Sequence, residues 1–167
     1  MQNNDIVENL ISLYGNDVLR IATAYTRNSS ISEDIFQDVF IKVAQNLDKF
    51  ENRSSEKTWI IKITINTCKD YLKSSWNKKV IPMENIDEDS ITRVDDTLLE
   101  KEKATLVVQE ILRLPIKYKE VLLLYYYQDL LTTDIAKILS LPEASVRTRL
   151  RRAREIIKGK LKILLEE

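Results

Sequence analysis

The sequence predicts an all-α protein of two small helical domains joined by a flexible acidic linker, and three observations lead to that prediction. The 167 residues include only two glycines and three prolines, which sheet-rich folds use freely in turns. Apolar residues recur at three- and four-residue steps through most of the chain, as on one face of a helix. Residues 77–95 are polar and acidic and contain Pro82, which is typical of a linker. We therefore expect a first domain over residues 1–76 and a second over residues 96–167.

Three helices are expected in the first domain. Ser32 is placed to cap the second of them, with acidic residues in the first turn that follows. The third covers about residues 56–76, because its length and its helical neighbours outweigh a β-branched run. A polar loop, Glu51–Ser55, precedes it. The apolar stripe of the first helix consists of Val7, Leu10, Tyr14, Val18, Ile21 and Tyr25.

Four helices are expected in the second domain. Two of them cover about residues 96–113 and 116–128, on either side of a break at Pro115. A short third helix ends near Leu139, and Pro142 fits the first turn of the last helix, where its missing N–H costs nothing. Two neighbouring hydroxyl side chains could each cap the short helix: Thr132 and Thr133.

Composition argues against most catalytic and membrane functions. Histidine is absent, which removes the commonest general base and a usual zinc ligand. Cys68 is the only cysteine, and we expect it to be a small buried apolar residue. We see no metal-ligand cluster, phosphate loop or catalytic triad, so we expect no enzyme, cofactor or small-molecule substrate. No apolar run approaches the roughly 20 residues that cross a bilayer, and no signal peptide is recognisable, so the expected location is the cytoplasm.

A net charge of zero conceals blocks of opposite sign. Residues 53–80 hold 7 basic and 2 acidic side chains, residues 81–102 hold 2 and 8, and residues 142–162 hold 8 and 2. Two basic blocks separated by an acidic block suggest two contacts with a polyanion. The alternative is a pair of solvated helix faces, and charge alone does not decide between them.

The segment from Leu131 to Leu150 fits a helix-turn-helix motif. Ala136 is small where two helices would cross, and Ser140 with Leu141 supplies a tight turn that lacks the usual glycine. The apolar face of the last helix continues through Val146, Leu150, Ala153, Ile157 and Leu161. The candidate DNA-binding residues of this helix are Arg147, Thr148, Arg149, Arg151, Arg152 and Arg154. Arginine can bond guanine bidentately in the major groove, and neighbouring cations neutralise phosphates; the alternative is a basic solvent-exposed helix or coiled-coil arm.

These residues resemble the motifs of the extracytoplasmic-function sigma factors, the minimal promoter-recognition subunits of bacterial RNA polymerase. The carboxyl half matches in Leu114-Pro-Ile-Lys-Tyr-Lys-Glu-Val, in Asp134-Ile-Ala-Lys-Ile-Leu and in Ser145-Val-Arg-Thr-Arg-Leu-Arg-Arg-Ala-Arg. The amino half matches in Glu33-Asp-Ile-Phe-Gln-Asp-Val-Phe, in Leu47-Asp-Lys-Phe and in Thr58-Trp-Ile-Ile-Lys-Ile-Thr-Ile-Asn-Thr. Ala144 stands where the family commonly has glycine. Arg151 stands where some members have an aromatic residue, which leaves the exact −35 sequence open.

The resemblance implies a sigma factor that directs core RNA polymerase to promoters, reads the −35 element with its second domain and opens the −10 element with its first. Four residues match the surface that clamps the largest polymerase subunit: Asp34, Gln37, Asp38 and Phe40. Lys42, Phe50 and Asn66 match the pocket for a flipped −10 base, and Lys62, Lys69 and Lys73 match phosphate contacts. Core packing is the alternative for Phe40, and it is the favoured role of Trp59.

The same resemblance implies three partners: core RNA polymerase, promoter DNA and an anti-sigma factor. In the family the anti-sigma factor is often membrane-anchored, and it would then hold the chain at the inner face of the membrane. Two other hypotheses are left open by the residues themselves. An ordinary helix-turn-helix regulator would bind promoter DNA tightly without polymerase, and a helical adaptor would bind only proteins.

Overall fold

A computed structural model describes residues 2–77 and 98–166 of the chain. The chain forms two compact units, Met1–Ser90 and Ile91–Glu167. Within the described residues the regular secondary structure is entirely helical, as the sequence predicts. The predicted linker lies almost wholly outside these residues, so its bounds stay a prediction. None of the described helices is long and apolar enough to span a membrane.

The first unit is a bundle of three helices that pack against one another: α1 (Gln2–Thr26), α2 (Ser29–Asn46) and α3 (Glu56–Asn77). Four of the six residues of the predicted stripe of α1 are buried, namely Leu10, Val18, Ile21 and Tyr25, and the other two are half-buried. Helix α3 runs through its β-branched segment, and Ile60, Ile61 and Ile65 from that segment are fully buried. Burial of these side chains among the neighbouring helices overrides their preference for strands.

The corner between α1 and α2 is built differently from the prediction, because Ser32 is not the cap of α2. Helix α2 begins four residues earlier, and the Asn28 side-chain oxygen accepts a hydrogen bond from the Ile31 N–H at 3.0 Å. The buried hydroxyl of Ser32 donates instead to the Asn28 carbonyl at 2.6 Å. Arg27 takes the left-handed conformation, with φ of 52°, so the chain reverses immediately after α1.

A short 3-10 turn, Leu47–Lys49, follows α2 and leads into the polar loop. Phe50 closes this turn with its N–H bonded to the Leu47 carbonyl at 3.3 Å. At the other end of the loop, Ser55 caps α3, since its hydroxyl accepts the Thr58 N–H at 3.1 Å. Hydrogen bonds therefore fix both ends of the loop that carries Phe50 towards α3.

The second unit contains α4 (Leu98–Arg113), α5 (Ile116–Leu122), α6 (Thr132–Leu139) and α7 (Glu143–Glu166). The predicted break at Pro115 is confirmed, because α5 begins immediately after that residue. Helices α4, α5 and α6 each pack against α7, which is therefore the central element of this unit. The buried residues of the second unit include Val121, Leu124, Ile135, Val146, Leu150 and Ala153.

The predicted helix over residues 116–128 does not stay α-helical to its end. Leu123–Tyr127 forms a π-helical turn, in which the Gln128 N–H bonds the Leu123 carbonyl at 3.1 Å. Asp129, with φ of 52°, then redirects the chain. The wider turn leaves three consecutive tyrosines exposed, namely Tyr125, Tyr126 and Tyr127.

Candidate nucleic-acid interface

Helices α6 and α7 form the predicted helix-turn-helix. The Leu141 N–H bonds the Ala136 carbonyl at 2.9 Å, and the Ser140 N–H bonds the Lys137 carbonyl at 3.4 Å, which is the Schellman arrangement. Ser140 adopts φ of 54° and ψ of 46°, the left-handed conformation that glycine takes most readily. The predicted tight turn is therefore present without a glycine.

Both helices begin differently from the prediction. Pro142 lies just before α7 rather than in its first turn, and its carbonyl accepts the first hydrogen bonds of the helix. Neither Thr132 nor Thr133 caps α6, because the cap position is occupied by Leu131. The Thr132 hydroxyl donates instead to the Glu143 carboxylate in the next helix, at 2.8 Å.

The inward face of α7 is confirmed along its first half, where Val146, Leu150 and Ala153 are buried. Ile157 and Leu161 continue the stripe but are only half-buried. Together with side chains of α4, α5 and the tyrosine turn, they line an open apolar groove of about 800 Å³. The first half of α7 is thus fixed by packing on one side, which leaves its other side for solvent or a ligand.

Arg149 differs from the other predicted DNA-binding arginines, because it forms an ion pair within this unit. Its side chain is 27% exposed, and its guanidinium lies 3.3 Å from the carboxylate of Glu120, which is 4% exposed. Because a buried carboxylate needs a compensating charge, Arg149 serves the fold of this unit. Four of the other candidates lie on the outer side of α7: Arg147, Arg151 and Arg152 are exposed, and Thr148 is half-buried.

Arg154 is exposed but packs against the tyrosine turn. Its Nε donates to the Tyr126 hydroxyl at 2.6 Å. Its guanidinium also lies 5.5 Å from the ring centroid of Tyr125 and 5.4 Å from that of Tyr126, within the range of cation–π attraction. These contacts hold Arg154 beside the apolar groove, at the edge of the predicted DNA-binding set.

Glu143 joins the two helices of the motif, a role that the sequence did not predict. Its Oε1 accepts one hydrogen bond from the Thr132 hydroxyl at 2.8 Å and another from Arg147 Nη2 at 2.7 Å. The bond from Thr132, followed by that from Arg147, lowers the pKa of the Glu143 carboxyl below its ordinary value. The spacing of four residues between Glu143 and Arg147 was the available signal in the sequence.

In the first unit, an exposed face of α2 carries three of the four predicted polymerase-binding residues, Asp34, Gln37 and Asp38. Phe40 is not on that face: it is 5% exposed, and its ring centroid lies 4.9 Å from that of Phe36. The structure therefore confirms core packing, which was the alternative for Phe40. Ile41 is 54% exposed and follows Gln37 by four residues, so it adds an apolar side chain to the face.

Phe50 and Trp59 form a stacked pair, with ring centroids 4.7 Å apart and planes inclined by 27°. Both side chains are half-buried, so Trp59 is only partly packed into the core. With Lys49, Glu51 and Arg53 they line an open depression of about 180 Å³. The Glu51 carboxylate pairs with Arg53 at 2.7 Å, so the depression combines an aromatic surface with one paired and one further cation.

The other candidates for the −10 site lie along α3, apart from Lys42. Lys62, Asn66, Lys69 and Lys73 follow one another at steps of four, three and four, and so share one side of the helix. Asn66 is exposed, but it lies seven residues, or about 10 Å along the axis, from Trp59. Lys42 reaches α3 from α2, and its Nζ donates to the Thr67 hydroxyl at 3.0 Å. Trp59 and Asn66 therefore share one side of α3 about two turns apart, and the pocket that would join Asn66 to Phe50 stays a prediction.

The remaining sequence candidate, Cys68, is fully buried in α3. Loss of hydration on burial raises the pKa of its thiol to about 12. The thiolate is therefore negligible at neutral pH, and the predicted passive role is confirmed. In the part of the chain that the structure describes, no group of three or more Cys, Asp or Glu residues is placed to hold a metal ion.

An outward row of cations on a helix-turn-helix, together with a cationic helix face in a second unit, is typical of a helical DNA-binding protein. Comparison with known proteins assigns the family. Residues 10–78 match the model of sigma-70 region 2, and residues 105–157 match that of sigma-70 region 4. The chain is 32% identical to the ECF RNA polymerase sigma-E factor of Haemophilus influenzae, over 93% of this chain and 87% of that protein. It therefore belongs to the extracytoplasmic-function sigma factors of the sigma-70 family, which direct promoter-specific initiation of transcription.

Further relatives agree with this assignment. The chain is 26% identical to the ECF RNA polymerase sigma factor SigW of Bacillus subtilis, over 96% of this chain and 91% of that protein. The sigma factor RpoE of Bartonella quintana, solved with the anti-sigma factor NepR, aligns with a TM-score of 0.75 at 19% identity, covering 93% of this chain and 96% of that one. CnrH, solved with the cytosolic domain of CnrY, aligns with a TM-score of 0.69 at 18% identity, covering 96% and 90%. At these identities the solved structures establish the fold alone.

Proposed function

We propose that this sigma factor reads the −35 element with the outer side of α7, binds core RNA polymerase through α2 and holds an unpaired −10 base at Phe50. The observation that carries the proposal is the division of α7 into two sides. One side is buried against α5 and α6, and the other presents Arg147, Thr148, Arg151 and Arg152 to solvent. A recognition helix needs this division, because the side chains on one side must be free to contact bases while those on the other side pack in the fold.

The chemistry of the outer side suits the major groove. Arg147 and Arg151 lie one turn apart, as do Thr148 and Arg152, so two parallel rows of donors cover the first three turns of α7. Arginine can donate two hydrogen bonds to O6 and N7 of guanine, and threonine can bond a base or contact a thymine methyl group. Lys158 lies farther along the helix, where only phosphates or solvent come within reach.

At the −10 element, the Phe50–Trp59 pair offers a stacking surface for a base that has left the duplex. Unstacking a base costs a few kcal/mol, and stacking on an aromatic side chain returns about 1–3 kcal/mol. The basic side of α3 supplies phosphate contacts through Lys62, Lys69 and Lys73. We propose that this unit stabilises the separated strands once polymerase has placed it at the promoter.

The exposed face of α2 is proposed to bind core polymerase. Asp34 and Asp38 favour a basic partner surface, and Ile41 supplies the apolar contact that the buried Phe40 cannot make. Polymerase performs the chemistry in this scheme, and the chain acts by binding rather than as an enzyme.

We also propose that an anti-sigma factor controls this chain. The support comes from NepR, which is present as an anti-sigma factor in the solved structure of RpoE. The chain would work in the cytoplasm, where polymerase and promoter DNA are found. A membrane-anchored anti-sigma factor would hold it at the inner face of the membrane.

The reading function is tested by transcription from a library of −35 variants with reconstituted holoenzyme. Arg147→Ala and Arg152→Ala should each cost about 1–3 kcal/mol at the preferred sequence and relax the preference at the base pair that the arginine contacts. Lys158→Ala should weaken initiation slightly and equally for all sequences. An unchanged base preference in both arginine variants would show that α7 grips the DNA backbone without reading bases.

A further inference from the structure

We propose that Glu143 is a positioning residue, which Thr132 holds in place so that it fixes the base that Arg147 contacts. The inference rests on the proposed reading function of α7. The Glu143 carboxylate would act by restraining Arg147, and it would need no contact of its own with DNA. The inference assigns a role to a hydrogen bond between the two helices of the motif.

The geometry joins three side chains at the amino ends of α6 and α7. One carboxylate oxygen of Glu143 accepts both the Thr132 hydroxyl, at 2.8 Å, and Arg147 Nη2, at 2.7 Å. The side chain of Glu143 is 36% exposed and that of Arg147 is 69% exposed. The carboxylate is thus held between the helices, while most of the guanidinium extends beyond it towards solvent.

The tether leaves Arg147 able to bond a base. A guanidinium has five N–H donors, and this contact engages one of its nitrogens. The remaining donors can still form a two-bond fork with guanine. An unrestrained arginine could turn instead to a neighbouring base or to a phosphate, so restraint of one nitrogen narrows the choice of contacts.

An exposed ion pair within one helix contributes little to stability by itself. The pair between Arg147 and Glu143 would therefore indicate no special role without the bond from Thr132. The Thr132 hydroxyl comes from another helix and fixes the direction of the carboxylate, which a pair within α7 could not do. The lowered pKa of the Glu143 carboxyl reflects the same two hydrogen bonds.

The sign of the effect on DNA binding separates positioning from a passive pair. A carboxylate beside the DNA-facing side of α7 repels phosphates, so removal of a passive Glu143 should strengthen binding to all sequences alike. If Glu143 positions Arg147, its removal should instead reduce discrimination at the base pair that Arg147 reads.

The experiment compares Glu143→Ala with Glu155→Ala in reconstituted holoenzyme on the −35 library. Glu155 is an exposed acid on the same helix and provides the matched loss of charge. We expect Glu143→Ala to lower discrimination about threefold to tenfold at the base pair affected by Arg147→Ala, because the arginine can still reach the base but is no longer restrained. Glu155→Ala should leave the preference unchanged at every position.

A second pair of variants separates positioning from stability. Thr132→Val removes the hydroxyl and should reproduce the loss of discrimination at the same base pair, whereas Thr132→Ser keeps a hydroxyl and should preserve it. Thermal unfolding of the full chain identifies any variant that fails to fold. If Glu143→Ala does not fold, the comparison of Thr132→Val with Thr132→Ser tests whether Glu143 positions Arg147.

The outcomes also distinguish this inference from the proposed function. If Arg147→Ala relaxes the preference but Glu143→Ala and Thr132→Val do not, Glu143 does not position Arg147 and the reading function stands. If Glu143→Ala affects a different base pair, the carboxylate contacts DNA itself and the inference is wrong. If Arg147→Ala changes nothing, this inference falls, and the reading function falls with it only if Arg152→Ala also leaves the base preference unchanged.

Discussion

At the scale of single residues, Ser140 holds the turn between α6 and α7 in a conformation that disfavours its side chain. Its φ of 54° is left-handed, where a Cβ atom crowds the following carbonyl at a cost of about 1–2 kcal/mol. The Schellman hydrogen bonds on either side compensate by satisfying the last carbonyls of α6. Glycine at this position would form the same bonds without the crowding.

We therefore expect Ser140→Gly to stabilise the second unit by about 0.5–1 kcal/mol, after the greater freedom of glycine in the unfolded chain is subtracted. Chemical denaturation of the full chain, followed by circular dichroism, measures the change. Ser145→Gly is the control, because it lies inside α7 and should destabilise by about 0.5–1 kcal/mol. A lower midpoint for Ser140→Gly would show that the serine hydroxyl stabilises the turn in another way.

The residue scale is also where prediction from sequence failed most often. Arg149 lies among arginines that face solvent, and its role depends on Glu120, which is 29 residues away in sequence but adjacent in the fold. Phe40 is only one position from the exposed Ile41, yet a step of one residue turns a side chain by about 100° around the helix. The sequence pattern located the helices and their charged segments. It could not settle side chains at the border between a buried and an exposed face.

At the scale of elements, the loop before α3 presents the Phe50–Trp59 pair. The 3-10 turn closes on one side of Phe50 and the Ser55 cap opens α3 on the other, so both rings belong to hydrogen-bonded segments. A preformed stacking surface lowers the ordering cost of capturing a base.

Phe50→Leu should impair opening of the −10 element while leaving −35 binding intact, because leucine keeps an apolar side chain but has no ring for stacking. Permanganate footprinting of −10 thymines by holoenzyme reports the opening. Phe50→Tyr keeps the ring and should open the promoter normally. Normal opening by a well-folded Phe50→Leu variant would exclude Phe50 from base capture.

The elements themselves were largely predictable, since every described helix except the end of α5 falls close to its expected range. The exception has a simple cause. The run Leu122–Tyr127 is apolar or aromatic at every position, so no three- or four-residue period marks where the α-helix ends. The π-helical turn is set by the fold around it, and the tyrosines it exposes could not be located from spacing.

At the scale of the whole molecule, a net charge of zero limits long-range attraction to DNA. Each basic surface belongs to a chain that is acidic elsewhere, so we expect attachment to polymerase to contribute to promoter binding. Both halves of the sequence resemble one family, and their motifs occur in that family's order. The sequence alone therefore predicts a sigma factor.

Asp38→Arg should therefore abolish binding to core polymerase and, with it, promoter-specific transcription, by opposing a basic partner surface. Co-purification with core polymerase measures the binding, and circular dichroism checks the fold. Asp5→Arg reverses an exposed charge on α1 and should leave both activities unchanged. Wild-type affinity in the Asp38→Arg variant would remove α2 from the polymerase interface.

The two-sided construction of α7 has a consequence for how such regulators diverge after gene duplication. If α7 reads the −35 element as proposed, codons for Arg147, Thr148, Arg151 and Arg152 can change without replacing the buried side chains of the helix, so a duplicated copy can acquire new target promoters while it still folds. A change at Arg149 would disturb its ion pair with Glu120 and be selected against for reasons unrelated to DNA. Descendants of one ancestral copy should therefore vary at the four outer positions and agree at position 149.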